Sequence, residues 1–488
     1  MNAEPQHRQP KGGARPAPRG GRVTGARLVA YDVLRDVDER DAYANLALPK
    51  RIRDAGLDAR EARLVTELVG GTLRGRGRYD RIIELASGRP LERIDARTLR
   101  VLRLGAHQLL SMRTAGHAAV NESVELQRRV ANRSAAGLVN GVLRSISRAT
   151  SEEWDARIDA ESTSTDDSLA DRLSHPAWIV RAFRDSLLAE GRANELEALL
   201  RADNRSPQVN LVLLPGASID VETAAALGSD LDRGRELAPQ GASPIGLVLE
   251  GGDPTRVIEA IGEPDGVLRV QDQGSQLAAL ALSRARPIAV GERWLDLCAG
   301  PGGKTAVLAA EAALGGATLR ANEVSAHRAE LVGRSVAANS DVVEIVSHDG
   351  REDAAFGGRR YDRVLVDAPC SGLGALRRRP EARWRKQPGD IPELTSLQRG
   401  LLDAAARHLA PGGLLAYVTC SPHRAETRSV LDDVLKNHPE LVEIDARRVL
   451  QGLARGQLDL GGASPSAQLW PHRHGTDAMF IALLERTP

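Results

Sequence analysis

The chain has three cysteines, and each borders a turn: Cys298 in LDLCAGPGGKT (Leu295 to Thr305), Cys370 in VLVDAPCSGLG and Cys420 in LLAYVTCSP. A thiol attacks electron-poor carbon as its thiolate. An exocyclic amine has its own lone pair and needs no such help, whereas C5 of a pyrimidine does. A thiolate that adds to C6 makes C5 enamine-like and able to take a methyl group, and a base must then remove the C5 proton before the thiol leaves. A free cysteine near pKa ~8.5 is only a few per cent thiolate at neutral pH, so such a site must stabilise the anion. Enzymes that methylate exocyclic amines carry an aromatic residue at the place Cys370 takes after Asp367 and Pro369. Buried free cysteines are usually inert, but two at strand-end turns beside a glycine turn point to chemistry. Cys298 reads as a small packing residue or a backbone contact.

The glycine turn resembles two phosphate motifs and satisfies neither. Gly303-Lys304-Thr305 ends like a P-loop, but Cys298 stands where its first glycine belongs. Gly300 and Gly302 start a dinucleotide fingerprint, but Thr305 replaces its third glycine. Glu323, twenty residues after Gly303, ends the next strand, where an acid accepts hydrogen bonds from ribose hydroxyls. Asp349 follows the third strand, where a short acid meets an adenine amino group. A nucleoside without phosphate is implied, and S-adenosylmethionine fits.

These turns need a sheet to carry them. From about Val270 the apolar runs RWLDLC, ATLRANEV, VVEIVSHD, YDRVLVDAP and LLAYVTCS alternate with helical stretches; APGG reads as a turn and DAMFIALLER as a late strand. The expectation is a doubly wound, Rossmann-like α/β domain over 270–488 with its ligands at the carboxyl ends of the strands. Residues 23–150 repeat apolar residues at three- and four-residue spacing and predict an all-helical domain. Residues 151–174 read as a polar, acidic linker. Residues 175–269 read as a small α+β segment that positions RNA; its 205–269 part contains no Phe, Tyr or Trp, so base stacking is not expected there. Residues 1–22, rich in Pro, Gly and Arg, read as a disordered basic tail.

The 488 residues allow several domains, and 27% charged with 42% hydrophobic residues is ordinary for a soluble protein. No run approaches the roughly 18 apolar residues of a membrane span, and the N-terminus has no apolar leader. An odd cysteine count without a disulfide framework suits a reducing cytoplasm. The net charge of +1 conceals an asymmetry: residues 1–150 hold 28 Lys and Arg against 16 Asp and Glu. A half at +12 points to a polyanion, and RGRGR (Arg74 to Arg78) reads as a loop that approaches a phosphate chain.

Together, CAGPGGK, DAPCSG and TCS resemble the RNA cytosine-5 methyltransferase family. AVNESVEL and AAGLVNGVLR resemble the NusB-like domain of its bacterial rRNA branch, the RsmB/Sun/Fmu family. The resemblance covers nearly all of the chain after the tail. It implies an S-adenosylmethionine-dependent enzyme that makes 5-methylcytosine in 16S rRNA, a monomer being the expectation. Cys420 would be the nucleophile, Cys370 would assist release, and Asp367 would lie near the target base. Cys298, Ala299, Gly300, Pro301, Gly302, Gly303, Lys304, Glu323, Asp349 and Asp367 would hold the cofactor. The turns alone leave the two thiol roles interchangeable, since some DNA cytosine methyltransferases attack with the Pro-Cys thiol.

Two departures stand out: Glu323 where many relatives have Asp, and SPHRAET after Cys420 where relatives read more like SVLPEEN. The loop ALRRRPEARWRKQP, with Arg377, Arg378, Arg379, Arg383, Arg385 and Lys386, would clamp phosphates of the substrate strand, with Trp384 packing beneath it. Two other readings are a tRNA cytosine-5 methyltransferase and a non-catalytic RNA-binding antitermination protein; adenosylmethionine binding separates the second from the enzymes.

Overall fold

The computed structural model describes residues 25–112, 114–218, 237–238, 240–249, 254–260 and 266–488. The expected basic tail at 1–22, and part of the segment 175–269, lie outside the described residues. Two compact units are present; one takes the chain to residue 42, then 46–72 and 79–154, and the other takes 43–45, 73–78 and everything from 155.

The first unit is helical: α1 (Gly25–Glu39), α2 (Ala44–Asp54), α3 (Ala59–Arg74), α4 (Arg76–Ser87), α5 (Ala96–Leu110), α6 (Gly116–Val130) and α7 (Ala136–Ile146) supply it. Helix α5 starts where the Asp95 carboxylate accepts the Thr98 N–H (3.0 Å), and it buries Val101, Leu102 and Leu104. Its polar residues are paired within the same unit: Arg100 donates to Asp38 and the Tyr31 hydroxyl, and Arg103 to Asp80.

The expected linker is instead two helices, α8 (Ser151–Glu161) and α9 (Thr165–Arg172). The acids that suggested a linker sit in first turns (Glu152 and Glu153, Asp166 and Asp167), where the helix dipole favours them. The Ser164 side chain caps α9 through the Asp167 N–H (3.1 Å), and Trp154 and Ile158 are buried. RGRGR is not a loop either. Arg74 ends α3 and Arg76 begins α4, and Gly77 donates its N–H to Ser174 Oγ (2.9 Å). A Cβ at Gly77 would lie 2.6 Å from the Trp384 ring, so this glycine admits a tryptophan rather than a phosphate.

In the second unit, β1 (Val209–Leu213), β2 (Leu237–Ala238), β3 (Gly246–Leu249) and β4 (Leu268–Val270) form an antiparallel sheet in the order β2-β3-β1-β4. The large sheet uses β5 (Arg293–Asp296), β6 (Thr318–Asn322), β7 (Val343–Val346), β8 (Tyr361–Asp367), β9 (Leu409–Thr419), β10 (Leu441–Ile444) and β12 (Phe480–Arg486), with β11 (Ala467–Gln468) beside β12. Its order is β10-β12-β9-β8-β5-β6-β7; β5 to β9 pair in parallel, and β12 runs antiparallel to β9 and β10. Strand residues alternate between two cores: Leu295, Val364, Val366 and Tyr417 enter one, while Trp294, Leu365, Ala416 and Val418 enter the other. Burial on both faces explains why these strands read as continuous apolar runs. APGG is absorbed into β9, where the register slips from Tyr361↔Leu409 to Arg363↔Leu414. Chain order reverses between β5 and β8, which places a crevice at their carboxyl ends.

Candidate active site

An acid closes β5, follows β6 and closes β8, and a fourth stands just past β7: Asp296, Glu323, Asp367 and Asp349. The turn after β5 is stapled by the Thr305 hydroxyl, which donates to Asp296 Oδ2 (2.8 Å) and lies 3.1 Å from the Ala299 carbonyl oxygen. Gly302, at φ 101°, reverses the chain into the helix Gly303–Gly315 in a conformation that other residues rarely adopt. Asp296 Oδ1 is buried without a hydrogen-bond partner, and burial, with Asp367 nearby, pushes this carboxyl up to about 7 despite the Thr305 bond.

Glu323, 2% exposed, accepts the Gly300 and Ser325 N–H groups (both 3.0 Å) and Arg328 Nη2 (2.9 Å). Asn322, which the sequence reading passed over, ties three strand ends: its amide donates to the Leu297 and His348 carbonyls, and its oxygen accepts the His348 N–H. Asp349 is held by Arg351, whose side-chain and backbone hydrogen bonds lower its carboxyl to about 2.

Past β8 and β9 the two thiols face each other, Cys370 Sγ lying 3.4 Å from Cys420 Sγ. Either thiol can donate across this contact; the hydrogen bond holds Cys420 below the ordinary thiol value and, with burial, holds Cys370 well above it. Lys304 Nζ donates to Asp367 Oδ2 (2.8 Å); burial opposes its charge, but Asp367 together with Cys420 and Asp296 keeps it an ammonium, which favours the Cys420 thiolate while Asp367 opposes it. Burial pushes the Cys298 thiol well up, consistent with a packing residue.

Glu426 joins the two thiol turns, and the sequence reading missed it inside SPHRAET. Its fully buried carboxylate accepts the Ser371 N–H (2.7 Å), the Ser371 hydroxyl, the Ser421 hydroxyl (2.7 Å) and the Gln398 amide (3.2 Å). The signal available was an acid six residues beyond Cys420, close after a strand end.

The basic loop after Cys370 departs from expectation. Arg377 and Arg378 each bridge Asp272 and Asp477. Arg383 is fully buried and donates to the Arg74, Ser174 and Asp203 carbonyls and to Asn204 Oδ1. These three arginines hold the loop down and are not a phosphate clamp. Trp384 packs as expected, with Arg76 over its ring at 5.6 Å.

A model described as "16S rRNA methyltransferase RsmB/F" matches residues 287–485, and the NusB family model matches 24–148. A Mycobacterium tuberculosis protein described no further than as a methyltransferase is 44% identical over 96% of this chain and 98% of its own. The ribosomal RNA small subunit methyltransferase B of Pseudomonas putida is 32% identical over 86% of this chain and 91% of its own. The chain belongs to the 16S rRNA methyltransferase RsmB/F family. In fold it is similar to the crystal structure of PH0851, at 24% identity and a TM-score of 0.74 over 95% of this chain and 98% of that one. No described helix is long and apolar enough to cross a membrane.

Members of this family use S-adenosylmethionine, and the residues present fit it. The cofactor is cationic at its sulfonium and amine, and the buried Asp296 oxygen without a partner, with Asp367 nearby, suits such a ligand. Glu323→Ala and Asp349→Ala should each weaken adenosylmethionine binding about ten- to a hundredfold, the equivalent of roughly 1–3 kcal/mol for a lost hydrogen-bond partner. Calorimetric affinity unchanged in both variants would refute the expectation, drawn from the sequence, that these two acids hold the adenosine.

Proposed function

We propose that the protein methylates C5 of a cytosine in 16S rRNA through a covalent bond from Cys420 to C6. The observation that carries this reading is the thiol pair 3.4 Å apart, whose shared hydrogen bond lowers the pKa of Cys420. Cys420 adds to C6 as N3 takes up a proton; the C5–C6 double bond is lost and C4–C5 becomes the enamine double bond, nucleophilic at C5. When bound, the cofactor supplies an electrophilic methyl group to C5. Cys420 stays bonded until a base takes the C5 proton, a step that Cys370 assists; the C5–C6 double bond then re-forms as the C6–S bond breaks and Cys420 departs as thiolate. Lys304 and Asp367 hold one another beside this site, and Asp367 lies at the end of β8 for contact with the base. Methylation of a 16S rRNA transcript followed by nucleoside analysis tests the reading: 5-methylcytosine is expected, and any other methylated nucleoside contradicts it.

The helical half would grip RNA through cations that remain outside its ion pairs. Arg129, Arg133, Arg144 and Arg148, on and around α6 and α7, are exposed. Because residues 43–45 and 73–78 fold with the larger unit, substitution tests this better than deletion. Replacing Arg129 and Arg133 by Ala should lower the log–log salt slope of RNA binding by about 0.7–0.9 per lost contact and leave adenosylmethionine affinity unchanged. An unchanged slope would move the grip elsewhere.

A further inference from the structure

The thiol pair has a second chemistry open to it, because two thiols this close can be joined. Cys370 Sγ and Cys420 Sγ lie 3.4 Å apart, and the next residues face each other in the same way, Ser371 Oγ to Ser421 Oγ at 3.0 Å. The two turns leave adjacent parallel strands, whose last registered pair is Asp367↔Val418. Neighbouring strands run about 4.8 Å apart, inside the roughly 4.4–6.8 Å that separates the Cα atoms of a disulfide. The S–S bond itself is about 2.0 Å long, so the sulfurs have little further to travel.

The juxtaposition is held from outside the thiols. Glu426 accepts from Ser371 and from Ser421, and the Gly374 N–H donates to the Cys420 carbonyl (2.8 Å), so the turns are tied to each other. The two sulfurs are also unequal. Cys420 is held below the ordinary thiol value, whereas Cys370 is held well above it and stays a thiol. Both are partly exposed, so a small oxidant reaches them. Cys298 does not compete, since it packs against a hydrophobic core and burial keeps it protonated.

We infer that Cys420 and Cys370 form an oxidation site, at which hydrogen peroxide converts the pair into a reversible disulfide and arrests the enzyme. The Cys420 thiolate attacks one peroxide oxygen. The S–O bond forms as the O–O bond breaks, the sulfur gives up two electrons, and the second oxygen leaves with them as hydroxide. Cys370 then attacks the sulfenic sulfur; the S–S bond forms, the S–O bond breaks, and the Cys370 proton departs with that oxygen as water. A dithiol reductant returns two electrons and two protons, and both thiols re-form. The bond occupies the nucleophile and its assistant together, and it spares Cys420 the sulfinic acid that a lone thiolate reaches irreversibly. This inference goes beyond methyl transfer and rests on the geometry of the pair.

The test uses the full chain, reduced, freed of reductant and titrated with hydrogen peroxide. Mass spectrometry of an unreduced digest should find one peptide pair joined through Cys370 and Cys420. Methyl transfer to a 16S rRNA transcript should fall about tenfold or more as the bond forms, and dithiothreitol should reverse both changes. The melting temperature of the oxidised protein should not fall, because a bond between turns already in register constrains the unfolded chain. In Cys370→Ala, dimedone should instead trap a sulfenic acid on Cys420, and further peroxide should give a sulfinic acid that dithiothreitol leaves in place. Absence of the joined peptide from the parent protein, whether Cys420 stays reduced or carries dimedone, would overturn the inference. So would a disulfide to Cys298 or between two chains in its place, or a joined pair with methyl transfer unchanged. A reduced protein that forms the bond on oxidation but makes no 5-methylcytosine would contradict the proposed reaction and leave the oxidation site standing.

Discussion

Cys420→Ser and Cys420→Ala should lose methyl transfer by about 10⁴-fold or more, the scale seen when a covalent nucleophile is removed, while RNA and adenosylmethionine still bind. A serine hydroxyl is too weakly acidic to replace the thiolate, even with Lys304 and the Cys370 S–H nearby. The same pair gives a pH signature. Because the Cys370 hydrogen bond lowers the pKa of Cys420, alkylation of Cys420 by iodoacetamide should reach half its maximum below the ordinary thiol range. Cys370→Ala removes that bond and should move the midpoint upward. A midpoint that stays in place would show that Cys370 does not stabilise the anion.

Glu426→Ala should be the most damaging change outside the thiols. It strands the Ser371 N–H, the Ser371 and Ser421 hydroxyls and the Gln398 amide in a buried setting. Each lost partner costs roughly 1–3 kcal/mol and the losses share one network, so about 3–5 kcal/mol in total is expected. The two thiol turns should also lose their register, with turnover falling at least about a hundredfold. Glu426→Gln keeps one acceptor and should lose less on both counts. Urea unfolding alongside turnover checks this, and parental stability with parental turnover in Glu426→Ala would show that the thiol turns are held by something else.

Much of the site was legible because it lies at strand ends that the sequence marks twice, by an apolar run and by the turn that follows. RWLDLC, YDRVLVDAP and LLAYVTCS became β5, β8 and β9, and their turns brought Cys370 and Cys420 to 3.4 Å. What was illegible depended on distant partners. An arginine-rich loop looks the same whether its side chains face phosphate or protein. Arg377 and Arg378 turn inward because Asp272 and Asp477, about a hundred residues away, wait there. Glu426 was hidden for the same reason, since its partners lie on the Cys370 turn and on the helix Ile391–His408 as well as on its own. At 151–174 the error was of another kind: acids at helix starts have the composition of a linker, and only the buried Trp154 and Ile158 betray the helix.

The most direct test of the account is the fate of RNA on the Cys370→Ala protein. If Cys420 attacks and Cys370 assists release, this variant incubated with adenosylmethionine and 16S rRNA should accumulate a protein–RNA adduct that survives a denaturing gel. Mass spectrometry should place the methylated cytidine on the peptide carrying Cys420, and the Cys370→Ala/Cys420→Ala protein should form none. An adduct from Cys420→Ala but not from Cys370→Ala would reverse the two roles. Full activity without any adduct in both single variants would contradict covalent catalysis.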